Sequence, residues 1–134
     1  MSLAPALESW HRLVREGDVK GLNDLLADDA TFHSPVVHTP QRGKALTRAY
    51  LAAAFQVFSD DSFHYVREVC DGRHAILEFE VVIDGISVNG VDMITWNDAD
   101  RIVDFKVMIR PLKAIGLVHQ KMARMLEAFG PAAA

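Results

Sequence analysis

The stretch HAILEFEVVIDGISVNGVDMITW, residues 74–96, decides the fold. Side chains along a strand alternate between its two faces, so Ala75, Leu77, Phe79, Val81 and Ile83 share one face while His74, Glu78 and Glu80 point the other way. Asp84-Gly85 then supplies a two-residue hairpin signal, since both residue types tolerate the positive φ of a type I′ turn. The next strand therefore runs antiparallel, with Ile86, Val88, Gly90, Asp92, Ile94 and Trp96 on one face and Ser87, Asn89, Val91, Met93 and Thr95 on the other. After a polar turn at Asn97–Asp100, a last strand sets Val103, Phe105, Val107 and Ile109 against Asp104, Lys106, Met108 and Arg110, and Pro111 ends the ladder.

Upstream the period is helical. Leu3, Ala6, Leu7, Trp10, Leu13 and Val14 form one apolar stripe that Gly17 stops. Asp18 can cap a second, shorter helix with Val19, Leu22, Leu25 and Leu26 on one side, which Asp28 and Asp29 interrupt. A short strand follows at Ala30–Ser34, then a loop from Pro35 to Gly43. Leu46, Ala49, Tyr50, Ala53, Val57 and Phe58 mark a third helix, and the period changes to two at Phe63. Downstream, Ile115, Val118, Met122, Met125, Leu126 and Phe129 predict a C-terminal helix interrupted or started near Gly116. The order of elements gives an α+β domain spanning residues 1–134, with a frayed tail at residues 131–134.

At 134 residues, 50% hydrophobic and 24% charged, the chain suits one core. A net charge of −4 with no Lys/Arg cluster argues against nucleic acid. No apolar run spans a bilayer, and residues 1–10 do not read as a secretory signal, so a cytoplasmic protein without membrane contact is expected. Cys70, the one cysteine, reads as a packing residue.

Asp92 does not fit its face. Strict alternation sets this carboxylate among Val88, Ile94 and Trp96, where an unpartnered charge costs more than a small domain can spare. Either it is a pocket group, protonated as a hydrogen-bond donor or ionised as a base, or it caps a bulge near Gly90 or pairs with a core-facing His or Arg.

The order of these elements, together with Gly17-Asp18, Asp28-Asp29-Ala30-Thr31, Ser34-Pro35-Val36 and Val91-Asp92-Met93, resembles the nuclear transport factor 2-like superfamily, which includes SnoaL-like proteins and steroid Δ-isomerases. The resemblance implies a curved, mixed but mostly antiparallel sheet, wrapped by three or four helices around an apolar pocket: a cystatin-like, cone-shaped α+β fold. It also implies that Asp92 corresponds to the isomerases' protonated oxyanion-hole aspartate. Ser34 stands where their catalytic base aspartate precedes a proline, and a hydroxyl is no carboxylate base at neutral pH. Trp10 stands where their oxyanion-hole tyrosine lies, offering an indole N–H but no phenol. Both departures argue against steroid isomerisation by that mechanism, while the fold hosts enzymes and noncatalytic binders alike.

The six histidines show no HxH or HExxH spacing, which argues against a metal. His33 and His38 are the histidines near the cavity mouth that can act opposite Asp92, although alternation points His33 outward and His38 sits in a loop. A triad of Ser34, a histidine and Asp92 lacks the nucleophile-elbow motif. The outer sheet face, with Glu78, Glu80, Val82, Val91, Met93, Lys106, Met108 and Arg110, combines apolar area with both charge signs and suits a homodimer, which the resemblance also implies.

The reading that follows is a pocket for a small, apolar, oxygenated molecule. Trp10, Leu77, Phe79, Val81, Trp96, Phe105, Val107 and Ile109 form its walls, and Asp92 anchors the oxygen. If it is an enzyme, cofactor-free isomerisation, dehydration or cyclisation is expected, with Ser34, His33 and His38 as helpers. The alternative is a noncatalytic binding or dimerisation module.

Overall fold

The computed structural model describes residues 4–128. Leu3 and Phe129 of the expected helical stripes, and the expected tail at residues 131–134, lie outside this range. Four helices and six strands follow one another: α1 (Pro5–Glu16), α2 (Leu22–Leu25), β1 (Leu26–His33), β2 (Gln41–Arg42), α3 (Lys44–Val57), β3 (His64–Asp71), β4 (His74–Ile83), β5 (Ile86–Trp96), β6 (Ile102–Arg110) and α4 (Leu112–Ala128). The strands form one sheet in the order β2-β1-β6-β5-β4-β3, antiparallel throughout except where β1 runs parallel to β6. This is the mixed, mostly antiparallel α+β architecture that the alternation and the resemblance imply.

The hairpin at the centre forms as its sequence dictates. Asp84 and Gly85 adopt φ of 51° and 77°, and β4 pairs with β5 without interruption from Ile83↔Ile86 to His74↔Thr95. The β4 residues expected inward are all buried, as are Val88, Gly90, Asp92, Ile94 and Trp96 on β5. α1 lays Ala6, Leu7, Trp10 and Leu13 on this face and ends at Gly17 in the left-handed conformation.

Elsewhere tertiary structure overrides the local pattern. Asp28 and Asp29 break no helix; both are exposed in β1, which begins at Leu26, four residues before the expected Ala30. The expected loop from Pro35 to Gly43 contains the short strand β2. Ile102, not Val103, enters the core, because a bulge opposite Thr95 and Trp96 shifts the register. α4 starts directly after Pro111 and runs through Gly116 unbroken. Gly116 is exposed, and the helix-propensity loss of about 1 kcal/mol is outweighed by burial of Ala114 and Val118 on the same helix. In α3 the buried set is Thr47, Leu51, Ala52, Ala53 and Val57, with the Thr47 hydroxyl donating to the Ala30 carbonyl at 3.0 Å. That bond lets a polar side chain sit in the core and ties the helix to β1.

Gly90 is required by its neighbour. It lies opposite Phe79 across the hairpin, and a methyl group there would overlap the ring edge and stand 2.9 Å from the Met108 carbonyl oxygen. Gly90→Ala is expected to cost about 1–3 kcal/mol, as overpacking of a close-packed core does. Urea denaturation reads this directly, and an unchanged midpoint would show that the ring has room to move.

Candidate functional site

Asp92 is buried in the middle of β5, paired with Leu77 on one side and Val107 on the other. Its carboxyl ends a chain of three side chains from three elements. The Trp10 indole N–H of α1 donates to the Tyr65 hydroxyl at 3.0 Å, and that hydroxyl, from β3, donates to Asp92 Oδ2 at 2.8 Å. Among the described residues Tyr65 is the carboxyl's one hydrogen-bond partner. Burial therefore dominates and raises the Asp92 pKa from 3.8 to about 7, against the opposing effect of the Tyr65 bond. Burial and the adjacent carboxylate hold the Tyr65 phenol well above its usual range, so it stays a donor.

The group opens on a cavity of about 570 Å³ that is bordered by α1, α3, the α3–β3 loop and the inner sheet face and is open to solvent on one side. That volume lies within the roughly 300–1,000 Å³ range of small-molecule sites. Leu51, Phe55, Phe79, Phe105 and Val107 give it mostly apolar walls, and exposed Arg15, Glu16, Asp60 and Asp61 border it. His11, next to Trp10 on α1, also lines it. Its ring meets Tyr65 edge-on at 5.4 Å, and its Nε2 lies 2.6 Å from Glu68 Oε1, although the N–H is not aligned as a hydrogen bond.

A smaller cavity of about 160 Å³ lies beneath α4 and shares Ala54, Phe58 and Val107 with the first. Of the residues expected at one site, Asp92, Trp10, Phe79, Phe105 and Val107 line the large cavity, whereas Ser34 and Ile109 line the small one. Leu77, Val81 and Trp96 are core residues that line neither. The structure does not bring the three expected helpers to Asp92. The Ser34 hydroxyl oxygen is turned to accept the Val36 N–H at 3.0 Å. His33 leaves the inner face by alternation and meets Asp104 at 2.8 Å, and His38 is exposed in its loop. Among the described residues no three His, Cys, Asp or Glu side chains converge as a metal site, and no helix is long and apolar enough to cross a membrane.

Sequence reasoning missed Tyr65 and His11. Tyr65 shares the parity of Phe63 and so faces inward, but a bulge between Tyr65 and Arg67 reverses the alternation and turns Glu68 to the inner face beside His11. The inward parity of a phenol was the available signal. Nothing local marked His11.

A six-stranded, mostly antiparallel sheet with four helices, a cavity and one buried acid is the nuclear transport factor 2-like, or cystatin-like, architecture. Residues 7–105 match the SnoaL-like domain family, and the chain belongs to it. A steroid Δ-isomerase from Pseudomonas aeruginosa is 37% identical, with 92% of this chain and 90% of that one covered and a TM-score of 0.87. An uncharacterised bacterial protein with a cystatin-like fold from Silicibacter pomeroyi is 32% identical, with 92% and 86% covered and a TM-score of 0.84. A de novo designed protein with a curved β-sheet, 14% identical with 90% and 98% covered and a TM-score of 0.70, shares the fold alone. No curated protein matches the chain significantly.

The raised Asp92 pKa makes stability depend on pH with a definite sign. Between about pH 4 and pH 7 the folded protein holds a proton that the unfolded chain has released, so stability from this group falls as pH rises and levels off above about 7. The slope approaches about 1.4 kcal/mol per pH unit at its steepest. Urea unfolding of wild type and Asp92→Asn across this window is expected to show the slope in the first and not in the second; parallel profiles would mean a solvated or ionised carboxylate.

Proposed function

We propose that the large cavity binds a small, largely apolar molecule through one oxygen atom, which neutral Asp92 holds by a hydrogen bond from Oδ1 while the Tyr65 hydroxyl, donating to Oδ2, keeps the acid in place. The observation that carries this reading is the carboxyl itself. Asp92 accepts one bond through Oδ2, and Oδ1 has no partner among the described residues, yet it sits on the wall of an apolar cavity of about 570 Å³. A donor in such a site discriminates strongly for a ligand acceptor, because leaving it unpaired costs about 1–3 kcal/mol.

The same geometry supports proton transfer without a cofactor. Ser34 stands where the resemblance to steroid Δ-isomerases implies a carboxylate base, and it opens on the other cavity. His11 lines the cavity that Asp92 faces, against Glu68, and an imidazole is suited to take up a proton near neutrality. Asp92 then polarises the oxygen while His11 takes a proton from the carbon next to the oxygenated one and returns it to another carbon of the resulting enol, which is isomerase chemistry.

The fluorescent ketone prodan provides a test. Its binding is expected to weaken about tenfold in Asp92→Ala and several-fold in Tyr65→Phe, and to fall as pH rises through about 7 as the donor proton is lost. Affinity that ignores both substitutions and pH would leave only an apolar space, and the noncatalytic module would be the better reading.

We also propose a homodimer through the outer sheet face. Val69, Ile76 and Met108 are 55%, 39% and 52% exposed there. Glu78 is already matched within the chain by Arg67, and Glu80 by His64, so apolar area rather than cross-copy ion pairs would drive association. Sedimentation equilibrium is expected to show a dimer that Met108→Asp dissociates; a monomeric wild type would refute it.

A further inference from the structure

We infer that the two cavities form one bipartite binding space whose ligand is an elongated apolar molecule oxygenated at both ends. The inference rests on the reading that Asp92 holds an oxygen, and adds where the rest of the molecule goes.

The small cavity adjoins the large one. Both are lined by Ala54 of α3, by Phe58 at the end of that helix and by Val107 on β6, so these three residues lie between a space of about 570 Å³ and one of about 160 Å³. One of the three is an alanine, and the inferred opening lies at this small side chain. Beyond it the walls remain apolar, with Phe32, Tyr50, Val118, Met122 and Leu126. A methylene chain anchored at Asp92 therefore gains by continuing through, at about fourfold in affinity for each group buried.

The far end carries its own polar pair. The Ser34 oxygen accepts the Val36 N–H, but its proton has no acceptor among the described residues, and it lines the cavity together with His119 at the exposed surface of α4. A hydroxyl donor and an imidazole on one cavity lining suit a second oxygen function, a carboxylate above all. Ser34 is then a binding residue of the distal end, which accounts for its separation from Asp92.

Three ligands separate the parts when they compete with prodan: 2-hexanone, 2-undecanone and 10-oxoundecanoic acid. Asp92→Ala should weaken all three, which tests the anchor alone. Ala123→Leu, on the α4 wall of the small cavity alone and compatible with a helix, should weaken the two long ligands at least tenfold and leave 2-hexanone unchanged. Ser34→Ala should weaken the oxo acid several-fold and leave 2-undecanone unchanged. In wild-type protein the Met122 methyl resonance should shift with the long ligands and not with 2-hexanone, a readout that needs no variant. A Met122 signal that stays still at saturation with 2-undecanone would overturn the bipartite space even if the Asp92 anchor holds. Loss of discrimination by Asp92→Ala would remove the anchor, and this inference with it.

Discussion

The carboxyl of Asp92 sets the terms for the rest of the domain. A charged oxygen cannot sit between Leu77 and Val107 on the concave face of a sheet unless something lowers its cost, and three things do so together. The Tyr65 hydroxyl donates to it, the Trp10 indole holds that hydroxyl in place, and the remaining cost is met by a pKa near neutrality that lets the group be neutral part of the time. Each partner comes from a different element, so the polar chain fixes the distance of α1 and β3 from β5 and keeps the space between them open. Trp10 also packs against Phe55 and Phe105 with ring centroids 5.5 and 4.8 Å apart, so the residue that steadies the network is at the same time part of the wall.

What could be read from the sequence follows from which forces act locally. The β4–β5 hairpin was legible because its turn residues and its alternation are dictated by backbone sterics and by burial of a single face. The inward position of Asp92 followed from the same parity. Features set by distant contacts were not legible. Ile102 replaces Val103 because of a bulge, and a bulge is a register adjustment between strands that neither strand encodes alone. Helix α4 passes through Gly116 because its neighbours bury an apolar face, which a scan for helix breakers undervalues. His11 meets its partner only because a second bulge, in β3, turns Glu68 inward, and Tyr65 gains its role only when α1 brings Trp10 to a phenol whose inward parity was legible. Grouping Ser34, His33 and His38 with Asp92 assumed that closeness in the family pattern meant one shared cavity; the two-part interior separates Ser34, and alternation removes His33.

Belonging to the SnoaL-like family fixes the framework more firmly than the chemistry. A designed protein 14% identical to this chain has the same curved-sheet fold, so sheet and helices by themselves require no particular ligand or reaction. Function has to come from the side chains that break the apolar pattern, and in the large cavity these are few: Asp92, Tyr65, Trp10 and His11, with the charged residues confined to its border. A sparse polar set in an apolar enclosure is selective because each group has few alternatives to the ligand.

The position of that set also couples ligand to proton. A ligand seated in the large cavity, as proposed, would strengthen desolvation of Asp92, the larger of the two effects that set its pKa. A ligand oxygen that accepts a bond from the neutral acid pushes in the same direction, since it favours the protonated form. Under the proposed binding mode ligand and proton reinforce one another, and by reciprocity the ligand's affinity rises by the same factor as the proton's. A fully solvated aspartate, ionised throughout the neutral range, has no such response. The feature that makes Asp92 costly to bury is thus what makes it sensitive to whatever fills the cavity beside it.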